Sequence, residues 1–243
     1  MIQSSILAVI AITLATATAA PRIVNCRVIA FSKSPDMPAE LFSLAKSKGE
    51  FAKTIPSLSV ETLPAELAVS EEGEIPFTAA ADPVGPVIAT AKIPPGVKNA
   101  YLFLLPDHTP DDAVRFQIVT IEDSPENTPP GGAMIHNASP VEARVTVGRE
   151  IYPLPPGKSL GIPNPTEKDE FNMAALKIES ETGGQWTTIK DGLTRFSMRD
   201  SYLIFTFSGT RPGQTLVKIY QKSLALPAAM EKQGKNQGPI RTR

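Results

Sequence analysis

From Pro86 onward the chain is divided by prolines and glycines into segments too short for a helix of ordinary length and rich in β-branched and aromatic residues. Candidate strands are Val87–Ile93, Ala100–Leu105, Arg115–Ile121, Ala133–Asn137, Val141–Val147, Glu150–Leu154, Ser159–Ile162, Ala174–Glu179, Gln185–Ile189, Tyr202–Phe207 and Thr215–Tyr220. Turn signals recur among them roughly every eight to twelve residues, the spacing of a sandwich or barrel. The expected fold class is therefore mainly β: an antiparallel β-sandwich, Ig-like or jelly-roll-like, with one short helix.

Val141-Glu142-Ala143-Arg144-Val145-Thr146-Val147 alternates with period two, which sends Glu142, Arg144 and Thr146 toward water. Gly148-Arg149 then fits a tight hairpin turn into Glu150-Ile151-Tyr152. Tyr101-Leu102-Phe103-Leu104-Leu105 and Tyr202-Leu203-Ile204-Phe205-Thr206-Phe207 are apolar on both faces, as strands covered on both sides are. Earlier in the chain, Val24, Cys26, Val28 and Ala30 share one face of a strand over Val24–Phe31.

The one helix is expected at about Pro38–Lys48. Asp36 can cap it, Pro38 sits in its first turn, and Leu41, Leu44 and Ala45 form an apolar stripe before Gly49. Residues 50–84 are poorly patterned. Leu58–Leu63 can be a strand there, while Glu71–Glu74 and Ala79–Pro83 read as loops.

The chain opens with an apolar core, Ile6–Leu14, followed by Ala15-Thr16-Ala17-Thr18-Ala19-Ala20, the layout of a secretory signal peptide. The core is too short to span a bilayer, and Ala17-Thr18-Ala19 places cleavage after Ala19. No Lys or Arg precedes the apolar core, and a retained N-terminal anchor is the competing reading. The expected organisation is thus a signal over 1–19, a single sandwich domain over 20–222 and a basic tail over 223–243. Export to the periplasm, envelope or medium follows, with no transmembrane span once the signal is removed.

The formal charge of −1 gives no overall attraction to nucleic acid, which is disfavoured as a partner. Cys26 is the only cysteine, so the core alone must hold the fold together; its expected place is buried in the first strand. Asn25 and the Pro21-Arg22 pair before it do not fit a lipoprotein signal.

Pro-Pro-Gly recurs at residues 94–96, 129–131 and 155–157, but the flanking residues differ, so rigid turns explain the recurrence more simply than a repeated unit. Pro130-Gly131-Gly132-Ala133-Met134-Ile135-His136-Asn137-Ala138-Ser139-Pro140, the strand Arg144–Gly148 and Leu154-Pro155-Pro156-Gly157-Lys158-Ser159 resemble a group of uncharacterised exported bacterial proteins. Gly184-Gln185-Trp186 and Arg199–Ile204 are similar to the later part of that pattern, and the resemblance covers about residues 86–220. It implies a β-sandwich and brings no activity and no catalytic residue with it.

Several residues are candidates for chemistry. Asp107, His108, Asp111 and Asp112 gather oxygen ligands and an imidazole that could suit a metal ion, but their spacing matches no established metal-binding loop and an Asp/Pro-rich turn is the favoured reading. His136 with Ser139 lacks the Gly-x-Ser-x-Gly elbow of a hydrolase; Asn137 and Ser139 are better suited to holding a turn through side-chain to backbone bonds. Trp186 and Tyr152 are the aromatic candidates for ligand binding, and Trp186 can instead pack over the sandwich edge on Leu176 and Ile178. Arg195, Arg199 and Asp200 read as ion-paired strand-end charges.

No catalytic residue and no cofactor is assigned, and an enzyme is the less favoured class. The leading expectation is a non-enzymatic structural or interaction module whose partner is an envelope protein or a polysaccharide. A carbohydrate-binding module is the alternative, and a hydrolase whose site is assembled from distant residues is third.

Overall fold

The structure, a computed structural model, describes residues 21–32, 37–45, 50–82, 84–106, 116–209, 211 and 213–224. Sixteen strands are formed: β1 Arg22–Ala30, β2 Leu41–Leu44, β3 Phe51–Thr54, β4 Ala65–Val69, β5 Glu74–Thr78, β6 Val87–Lys92, β7 Asn99–Pro106, β8 Phe116–Glu122, β9 Ala133–Ala138, β10 Ala143–Val147, β11 Glu150–Leu154, β12 Ser159–Ile162, β13 Met173–Thr182, β14 Gln185–Arg195, β15 Asp200–Ser208 and β16 Thr215–Ser223. They make four four-stranded sheets, ordered β4-β1-β7-β8, β3-β2-β5-β6, β12-β9-β15-β16 and β11-β10-β13-β14.

Adding eight to each strand number of the first two sheets reproduces the last two, so the second half of the chain repeats the topology of the first. The correspondence extends to detail. Both central pairs, β1 with β7 and β9 with β15, are parallel, and both β5–β6 and β13–β14 carry a register shift. Parallel neighbours need a long crossover, here supplied by the strands of the facing sheet, so the expectation of a wholly antiparallel sandwich is corrected. The three Pro-Pro-Gly turns precede β7, β9 and β12, which are not equivalent positions in the two halves.

Packing follows from alternation. Val24, Cys26 and Val28 of β1 and Ala100, Leu102 and Leu104 of β7 meet Leu41, Ile75 and Phe77 of the facing sheet in a first core. In the second half Ile135, Tyr202 and Ile204 meet Val145, Leu176 and Ile178 in the same way. The opposite faces of β7 and β15 do not reach water. Ile29, Phe31, Tyr101, Phe103 and Val119 pack on Met134, Leu203, Phe205 and Tyr220 in a third core, which joins the two sandwich-like halves back to back. That is why both strands are apolar on both faces. Phe103 and Phe205 lie with ring centroids 4.4 Å apart, and Asp123 clasps the rim of this core by accepting from Arg27 at 2.9 Å and from Lys222 at 2.5 Å.

The expected helix is absent; among the described residues no helix occurs, and residues 46–48 of that prediction lie outside them. Leu41–Leu44 is instead strand β2, paired with β3 from Leu41↔Thr54 to Leu44↔Phe51. The helical stripe fails because its members do not share a face: Leu41 is fully buried while Leu44 is 47% exposed, and Ser43 is the residue that turns inward beside Leu41. Leu58–Leu63 is likewise not a strand. Ser57 bridges to Ile29, after which the Ser57 and Ser59 hydroxyls accept from the Ser59 and Glu61 amides and curl the chain. Val60 is thereby delivered to the third core. The poorly patterned span 50–84 holds β3, β4 and β5. The signal and most of the basic tail, residues 1–20 and 225–243, lie outside the described residues.

Candidate functional site

Trp186 follows the Gly183-Gly184 turn and stands opposite Glu181 in the β13–β14 ladder. Cross-strand partners share a face, so Trp186 lies with Glu179 and Glu181 on the outer side of the sheet, away from the second core. Leu176 and Ile178, the surface the indole was expected to cover, are fully buried in that core on the opposite side. Its contact is instead Arg144, on the water-facing side of β10, whose guanidinium carbon lies 4.3 Å from the ring centre. Arg144 is held there by Glu179, which accepts from Arg144 Nε at 2.7 Å and from Lys177 Nζ at 2.8 Å. These two donors, Arg144 first, keep the Glu179 carboxyl well below the usual range, at about 2. One face of the indole is thus covered, and 38% of Trp186 remains exposed.

Tyr152 is not part of this surface. It pairs with Val145, a core residue, and packs its ring against the second core from strand β11. Tyr152 and Trp186 therefore occupy opposite faces of one sheet and do not form a joint site. Beside Tyr152 a pocket of about 120 Å3 opens between the β10–β11 hairpin and the segment 162–167. Gly148, at φ 60°, makes the tight turn of that hairpin, which alternation and the Gly-Arg pair foretold. The Tyr152 hydroxyl donates to Glu150; burial, then the carboxylate, pushes the phenol up to about 12. Across the mouth Arg149 pairs with Glu167 at 3.2 Å.

His136 and Ser139 are not brought together. The His136 Nδ1 lies 2.8 Å from the Ser159 hydroxyl of β12, and burial lowers the imidazole to about 4, leaving it neutral and weakly basic at pH 7. Ser139 belongs to a turn built on Asn137, which is fully buried. The Asn137 amide donates to the Val141 and Leu154 carbonyls at 2.8 and 2.9 Å, while its oxygen accepts from the Ser139 amide, the Ser139 hydroxyl and the Thr206 hydroxyl. The turn role expected for Asn137 and Ser139 is what they perform.

Asp107, His108, Asp111 and Asp112 lie outside the described residues, among which no group of three or more His, Cys, Asp or Glu could hold a metal ion. Arg195, Arg199 and Asp200 form none of the ion pairs found among the described residues; backbone contacts serve that strand end instead, with the Tyr202 hydroxyl donating to the Arg195 carbonyl at 2.5 Å. The clasps of Glu179 and Asp123 had no sequence signal beyond the outward side of Arg144, because each joins strands distant in the chain.

No protein-family model matches the chain, and no curated protein is significantly similar to it.

Proposed function

We propose that this protein is exported after cleavage at Ala19 and acts without catalysis, as an interaction module of the cell envelope or secreted fraction. The observation that carries the reading is strand β14. It spans eleven residues, is hydrogen-bonded among the described strands to β13 alone and closes its sheet as an edge, with most of its length exposed. Such an edge offers a row of backbone donors and acceptors to an added strand, the usual way an extended peptide binds a sheet. Leu193, 62% exposed, and Trp186 supply apolar contact along it. Lys190, Asp191 and the register shift near Ile178 guard the middle of the strand, so residues 185–188 form the more accessible stretch.

Burial makes His136 a weak base, poorly suited to take a proton from the Ser159 hydroxyl beside it. Hydrogen exchange tests the proposal. Amides of residues 185–188 should slow when the mature protein is mixed with envelope material from the producing cell, and slowing confined to other strands would overturn the reading. Intact-mass analysis of the exported protein tests the leader: a chain beginning at Met1 would refute cleavage.

A further inference from the structure

We infer that the pocket beside Tyr152 is a binding site for a single neutral sugar unit, such as the terminal residue of a glycan. Its size comes first. At about 120 Å3 it is well below the roughly 300–1,000 Å3 of pockets that enclose whole drug-sized ligands, so it is too small to enclose a peptide segment and takes at most part of a single sugar unit. The walls are of two kinds. Tyr152 and Pro163 are its apolar walls, Ile162 lying behind them in the core, whereas Arg149, Glu150 and Glu167 supply the polar side. A sugar ring has the same division, with C–H faces that lie on an aromatic ring and hydroxyls that both donate and accept.

Charge narrows the choice further. Two carboxylates repel an anion, while the pairing of Arg149 with Glu167 at 3.2 Å across the mouth leaves only Glu150 to attract a cation. A neutral polyol meets neither disadvantage: it donates to Glu150 and Glu167 and accepts from Arg149. The platform is also set in advance. Tyr152 is fixed by packing on the second core and by its hydroxyl bond to Glu150, so little freedom is lost on binding. The site does not depend on the open edge of β14, because Tyr152 sits on the opposite edge strand of that sheet. Either proposal can fail without the other.

Saturation-transfer NMR on the full mature chain with glucose, galactose, mannose and N-acetylglucosamine, each in large excess, is the test. At least one of these sugars should receive saturation on its ring protons, and Tyr152→Ala should weaken that binding by about tenfold or more, a loss of about 1.4 kcal/mol. Tyr152→Phe, which keeps the ring, should retain most of the binding, and Trp186→Ala should leave it unchanged. Arg149→Ala supplies a variant that leaves the fold intact, since its side chain is 87% exposed, and it should weaken binding as well. Absence of transfer to all of these sugars, transfer unaffected by both Tyr152→Ala and Arg149→Ala, or transfer abolished by Trp186→Ala would overturn the inference.

Discussion

The Arg144 guanidinium carbon lies 4.3 Å from the centre of the Trp186 ring, and Glu179 holds the guanidinium in place by accepting from its Nε. The tryptophan is therefore neither a bare platform nor a core residue; it is the outer layer of a three-residue stack on a solvent-facing sheet. Trp186→Ala should cost on the order of 1 kcal/mol, far less than the roughly 3–5 kcal/mol of a buried tryptophan. A double-mutant cycle with Arg144→Ala in urea unfolding should give a coupling of about 0.5–1 kcal/mol. A loss above about 3 kcal/mol for Trp186→Ala alone would mean that the indole is buried.

Asn137 satisfies five polar groups from one fully buried side chain. Truncation to Ala takes this partner from the Leu154 carbonyl, the Ser139 amide and the Thr206 hydroxyl, whereas the Val141 carbonyl keeps the Ser139 hydroxyl at 3.1 Å. At about 1–3 kcal/mol for each buried group left unpaired, Asn137→Ala should destabilise by at least about 3 kcal/mol in chemical denaturation. Ser139→Ala, which removes one hydroxyl together with its bonds, should cost about 1 kcal/mol.

The buried His136 makes stability depend on pH in a defined window. Its folded value of about 4 lies below the ordinary 6.5, so between these the unfolded chain binds the extra proton. The contribution is complete above about pH 6.5 and is lost as pH falls toward 4, amounting to about 3 kcal/mol over the window. Thermal melts at pH 7.5 and 4.5 should show this decline, and His136→Asn, which cannot titrate, should flatten it. An equal decline in the variant over this range would rule out His136 as its source; Glu179, whose depressed value acts below about 4.5, adds to the loss only at lower pH.

The aromatic core between the two halves should make them unfold together. Phe103 is fully buried and touches Phe205 and Tyr220 from the opposite half. Calorimetry of the intact protein should show one transition. Phe103→Ala, at about 3–5 kcal/mol, should separate it into two or broaden it markedly. Two well-resolved transitions in the unsubstituted protein would show that this core contributes little to cooperativity.

Cys26 is fully buried in β1, and desolvation pushes its thiol up to about 12. Its reaction with a thiol reagent at pH 8 should be slow in the native protein and rapid in denaturant. Fast native labelling would place the residue at the surface.

Much of this architecture is local in origin. Alternation and Pro/Gly punctuation located every strand from β6 to β16 to within a few residues, apart from the extended C-terminal end of β14, because side-chain period two and turn chemistry act over neighbouring residues. The same alternation buried Cys26 and sent Arg144 outward. Where the local signal was mixed it misled: Leu41 and Leu44 have helical spacing, yet the hairpin with Phe51–Thr54 and the facing core decide their conformation. Strand pairing was beyond reach, since Arg144 finds Glu179 across 35 residues and Arg27 finds Asp123 across 96. So was the repetition of one topology in both halves, because many different apolar residues can fill equivalent core positions and leave no shared motif. The amino-acid order therefore determined which segments extend and which face of each is apolar. Tertiary packing decided which faces meet, and with that whether Tyr152 and Trp186 could belong to one site, because contact between strands depends on register that no single strand encodes.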